Sequence, residues 1–126
     1  MDDEQNIIAE PEKVYDIKHR AYIFSRELVG YIGEVKFDRI YFSIFDQLVR
    51  SATSIGANLV EGRAGTTKKD FLNYHAIALK SANETKYWLC LIRDTLDIDK
   101  NRIKGLLDEA DEISKIIAKI IISTKG

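Results

Sequence analysis

Four stretches of this chain repeat apolar residues every three or four positions, and none alternates apolar with polar residues long enough to make a strand. That rhythm gathers one apolar stripe on one face of an α-helix. Val14, Ile17, Ala21, Phe24, Leu28 and Ile32 mark the first stripe, with Pro11 suited to a first turn and Gly30 and Gly33 weakening the far end. Tyr41, Ile44, Phe45, Leu48, Ala52, Ile55 and Leu59 mark the second, with Asp38 as its N-cap and Gly62 in the position just past a helix end. A third helix runs from a Thr67–Asp70 capping pair to about Thr95, on Phe71, Tyr74, Ala78, Ser81, Thr85, Trp88 and Ile92, with Ile77, Glu84 and Leu91 alongside. Asp99 caps a fourth, striped by Ile103, Leu106, Ala110, Ile113, Ile117 and Ile120. Short loops between amphipathic helices predict an all-α chain, an antiparallel up-down-up-down four-helix bundle over residues 13–126 behind an acidic, flexible tail at 1–12.

The chain has 126 residues, enough for one domain with its own core. Its formal net charge of −1 hides an asymmetry. Residues 1–13 carry Asp2, Asp3, Glu4, Glu10 and Glu12 against Lys13 alone, while residues 50–93 hold seven bases against three acids. The single cysteine, Cys90, excludes an internal disulfide and fits a reducing cytoplasm. No secretory h-region and no apolar run near the roughly 18 residues of a membrane span are visible, so a cytoplasmic protein without membrane contact is expected.

The second helix carries a polar stripe beside its core stripe. Ser51, Ser54, Asn58 and Glu61 follow one another at three, four and three residues, next to Leu48, Ala52, Ile55 and Leu59. Polar groups held at a core margin need partners. The stripe is therefore an internal network fixing the register of helices two and three, or part of a contact between subunits. Glu61 and Glu84 are expected beside Asn58 and Ser81, with Arg50 and Asn58 as donors. Gly56, mid-helix among small residues, implies close approach of a neighbouring backbone. The breadth of apolar and small residues on helices two and three fits either a wide core or a surface between subunits.

Catalytic and metal chemistry find little support. A dimetal bundle needs Glu-x-x-His on two helices, and this chain offers only a lone Asp16-x-x-His19. His19 and His75 read as surface or packing residues, Cys90 as a small hydrophobe, and Ser51 and Ser54 lack a base. No phosphate-binding glycine loop or dinucleotide fingerprint occurs, and Gly62-Arg63-Ala64-Gly65 reads as a helix-ending turn. No cofactor is expected. Arg63, Lys68 and Lys69 surround the start of helix three, where free N–H groups and the helix dipole favour an anion. Lys80, Lys86 and Arg93 extend the basic character along that helix, and Tyr74 and Tyr87 could stack on bases.

The run from Gln47 through Arg50, Ser54 and Asn58 to Glu61-Gly62, followed by Lys69 to Glu84 with Ser81, resembles the bacterial four-helix-bundle proteins also called 23S rRNA intervening-sequence proteins, and labelled a ribosomal protein in older usage. The resemblance spans about residues 14–120, and Arg50, Ser54, Asn58, Glu61, Gly62, Ser81 and Glu84 carry it. It implies a ring-shaped homo-oligomer, a homopentamer by preference. It also implies similarity to the accessory variability determinant of diversity-generating retroelements, which binds nucleic acid and a reverse transcriptase. Family members are often more basic than this chain. The expected function is a non-catalytic oligomeric module that binds RNA or a nucleoprotein partner through Arg50, Arg63, Lys68, Lys69, Lys80, Lys86 and Arg93. The alternative is a protein–protein interaction scaffold without nucleic-acid affinity.

Overall fold

The computed structural model describes residues 16–65 and 67–126. The acidic tail, Pro11 and Val14 lie outside them. Four helices follow in order, α1 (Ile17–Glu34), α2 (Phe42–Ala64), α3 (Lys68–Thr95) and α4 (Lys100–Lys125), with a 3₁₀ turn at Arg39–Tyr41 leading into α2. No strand occurs among the described residues.

Capping explains three of the starts. The Asp16 carboxylate accepts the N–H groups of Lys18 and His19, Thr67 Oγ1 accepts that of Asp70, and Asp99 accepts those of Asn101 and Arg102. Asp38 does not cap α2 as expected. It precedes the 3₁₀ turn and its side chain makes no capping bond, so that α2 opens one turn later, at Phe42. The connection is held instead by Phe37 stacked on Phe45, ring centroids 4.0 Å apart.

Each helix packs on the next, and α4 closes onto α1. Contact pairs run in opposite directions: Ala21 meets Gly56 while Ser25 bonds Ala52, and Ser51 meets Thr85 while Gly62 meets His75. Neighbouring helices are therefore antiparallel, the up-down-up-down order. Leu28, Leu48, Ala52, Ile55, Leu59, Ala78, Leu89, Ile92, Ile103 and Ile113 are fully enclosed. The α3 stripe is rotated from the expected one. His75, Ala82 and Leu89 are buried, whereas Phe71, Tyr74 and Trp88 sit at the margin and Ile77 is exposed. Aromatic rings are too wide for the close α2–α3 contact, which small residues occupy instead. Between α1 and α4, Arg20 grips Glu109 with two bonds of 2.7 and 2.9 Å, and the Arg102 guanidinium lies 4.4 Å from the Tyr31 ring centre.

Candidate functional site

The polar stripe of α2 meets a matching set on α3. Ser54 and Ser81 share a hydroxyl–hydroxyl bond of 2.9 Å, and the Asn58 amide donates to the Ser54 carbonyl (2.8 Å) and hydroxyl (2.9 Å). Deeper in, Thr85 donates to Ser51 Oγ at 3.0 Å and lies 2.7 Å from its own Ser81 carbonyl. Ser51 and Thr85 are buried, and Ser51 also bonds the Leu48 carbonyl. These hydroxyls satisfy one another, which removes the cost of burying them. Thr85 belongs to this seam although it reads in the sequence as an ordinary stripe residue. A hydroxyl at the position facing Ser51 was the available signal.

The carboxylates expected in the seam are outside it. Glu61 and Glu84 are both exposed, and Glu84 accepts the Trp88 indole N–H at 3.1 Å. A carboxylate remains in water unless a cation is provided in the interior, and Arg50 instead pairs with Asp46 on its own helix at 3.0 Å. Ser51 faces Thr85 and Gly62 faces His75, so Glu61 and Glu84 are separated by about eight residues, roughly 12 Å along the axis. They do not form one pocket.

Gly62 does not end α2. The helix continues to Ala64 and Gly65 caps it. Gly62 is buried where α3 comes closest, and a Cβ there would lie 3.0 Å from both Tyr74 Cβ and His75 Nδ1. His75 is 3% exposed, stacks on Phe71 with centroids 3.8 Å apart, and its Nδ1 is 2.8 Å from the Phe71 carbonyl. The carbonyl fixes the proton on Nδ1, and burial holds the imidazole below its ordinary pKa despite that bond.

The seven basic positions separate into two kinds. Arg50, Lys86 and Arg93 are engaged by Asp46, Asp111 and Asp94, at 3.0, 3.2 and 2.8 Å, and Lys86 also donates to Ser114. Arg63, Lys68, Lys69 and Lys80 are exposed and make no ion pair among the described residues. Arg63 lies in the last turn of α2 and Lys68 and Lys69 in the first turn of α3, so three cations share one end of the bundle with the α3 N-terminus. Lys80 stands twelve residues further along α3, roughly 18 Å away. Tyr87 is 60% exposed and set edge-on against Trp88, while Tyr74 is half-buried beside Gly62.

Residues 13–119 match the family model of the 23S rRNA-intervening sequence protein. The chain belongs to that family. A solved structure from Bacteroides thetaiotaomicron, a protein with unknown function from the S23 ribosomal protein family, is 34% identical with a TM-score of 0.77. The match covers 83% of this chain and 97% of that one. No curated protein matches. The residues on which the family resemblance rests have distinct places in this fold. Ser54, Asn58 and Ser81 make the seam, Gly62 permits the close α2–α3 approach, and Arg50, Glu61 and Glu84 stand on the surface flanking it.

Among the described residues no cluster of His, Cys, Asp and Glu could hold a metal, and no helix is long and apolar enough to cross a membrane. Cys90 is half-buried on α3.

Proposed function

We propose that this protein is a non-catalytic, cytoplasmic, ring-forming four-helix-bundle module that binds RNA or a nucleoprotein partner. The observation that carries the reading is the end of the bundle where Arg63, Lys68 and Lys69 stand together, without acidic partners among the described residues, at the start of α3. Cations left free beside a helix N-terminus suit phosphate. Lys80 adds a fourth contact. Arg50, Lys86 and Arg93 contribute less, because each already neutralises a carboxylate. A role like that of the accessory determinant of diversity-generating retroelements would extend the same reading to a nucleoprotein.

Oligomerisation supplies what one weak patch lacks, since several copies in a ring add by multivalency. Two features support assembly. An apolar groove of about 440 Å³ runs between α1 and α2 over Tyr22, Gly56, Ala57 and Val60. On α3, Ile77 and Tyr87 are 45% and 60% exposed. The same surfaces support the second reading, a protein scaffold in which the cations are only solvated. Reversing charge at Arg63, Lys68 and Lys69 separates the two. It abolishes RNA affinity and leaves the assembly intact if the first reading holds; if the second does, the native chain has no RNA affinity to lose and the assembly is again unchanged.

A further inference from the structure

A cleft of about 400 Å³ opens at the basic end of the bundle. Its floor is apolar, with Ile17, Leu59, Phe71 and Ile120, and Lys18 and Arg63 stand at its wall. Lys68 and Lys69 begin the helix that contributes Phe71 and His75. Around this end stand six bases, Lys18, Arg63, Lys68, Lys69, Lys119 and Lys125, against Asp16, Glu61 and Asp70. One of those three acids, Asp16, already caps α1.

Asp16 itself lines the cleft, so the fifteen residues that precede it are tethered to its wall. Their sequence complements what the cleft offers. Ile7, Ile8 and Ala9 form an apolar centre, with Asp2, Asp3 and Glu4 on one side and Glu10 and Glu12 on the other. We propose that this cleft is the docking site of the chain's own acidic N-terminal segment, which covers Arg63 and competes there with a polyanion. Apolar residues at the floor and carboxylates at a cationic rim are the pairing that both partners call for. Fifteen residues reach about 50 Å when extended, well beyond the cleft. A tether this short gives an effective concentration of order millimolar, so weak attraction suffices. An RNA would then have to displace the segment, and the near-neutral bulk charge of the chain would understate the reach of its basic end.

The competition rests on the RNA-binding reading, whereas the docking does not. Zero-length carbodiimide coupling of the full-length protein, followed by peptide mass mapping, tests the docking. Mixed light and heavy isotope-labelled chains show whether each link lies within one chain. The expected result is intrachain amide links from the carboxylates of residues 2–12 to Lys18, Lys68 or Lys69, reduced severalfold when Ile7 and Ile8 are changed to Ser. Absence of such links, or links between chains only, overturns the inference. In parallel, a full-length variant with all five acids neutralised (Asp→Asn, Glu→Gln) is titrated with a fluorescent single-stranded RNA. It should bind roughly tenfold tighter than the native chain at low salt, where like charges are least screened. Equal affinities overturn the competition. Intrachain links without RNA binding by either form uphold the docking and refute the RNA-binding reading.

Discussion

At Gly62 and Gly56 the same residue type does two different things in one helix. A Cβ at Gly62 would lie 3.0 Å from Tyr74 Cβ and His75 Nδ1, on a helix that cannot yield without opening the seam. Overpacking costs about 1–3 kcal/mol, more than the helix-propensity gain of an alanine. Gly62→Ala should lower stability in urea unfolding, by up to about 2 kcal/mol once the propensity gain is subtracted. At Gly56 the nearest atom to an added Cβ is Ala21 Cβ at 3.5 Å, an ordinary contact. Gly56→Ala should therefore raise stability by up to about 1 kcal/mol, the usual difference in propensity. The close approach expected at Gly56 is one an alanine would tolerate, because α1 meets it with the small Ala21 and leaves room for a Cβ. Gly62 was not legible: glycine one step past a stripe looks the same whether it ends a helix or admits a neighbour. His75 was equally opaque, since its burial depends on a glycine that faces it across the bundle. Its depressed pKa gives a signed expectation. The stability it contributes is complete above the unfolded value of about 6.5 and is lost as pH falls through the lower folded value. Urea midpoints should fall as pH drops below about 6.5, with a shallower slope in His75→Gln.

Helix existence and stripe direction were readable from period alone on α2 and α4, where Leu48, Ala52, Ile55 and Leu59, and Ile103, Leu106, Ala110, Ile113 and Ile117, are buried as expected. On α3 the stripe was set by its partner. Leu89 and Ala82 displaced Trp88 and Tyr74 because a seam of small hydroxyl residues brings α2 and α3 together. Glu61 shared the period of the seam residues yet lies in water, since periodicity reports direction on a helix and not how far the neighbouring helix covers it. Thr85→Val should cost about 1 kcal/mol, the net value of a typical hydrogen bond, by thermal or urea unfolding. Asn58 is a different case. Its amide bonds only within α2, to Ser54. Asn58→Leu should leave the bundle folded by circular dichroism, and a shift to a smaller species in sedimentation would place that edge of the seam in a subunit contact.

The whole molecule is electrically uneven in a way bulk composition conceals. Three of the seven bases expected to meet phosphate are paired with Asp46, Asp111 or Asp94, and the rest are exposed, three of them at one end. The count of bases was visible in the sequence, and their sorting was not. Arg50–Asp46 is an i,i+4 pair that could be read in advance, whereas Lys86–Asp111 depends on α4 packing beside α3. Arg50→Ala and Arg93→Ala should therefore change RNA affinity by less than about twofold, a small exposed-charge effect. Arg63→Glu combined with Lys68→Glu and Lys69→Glu should remove it. The measurement that bears most directly on the central claim is fluorescence anisotropy of a structured RNA titrated with the purified protein across a range of salt. The account predicts binding at low salt, with log Kd rising against log salt by about 2–3 for each subunit end engaged through three cations. No binding at low salt, or affinity indifferent to salt, would contradict it.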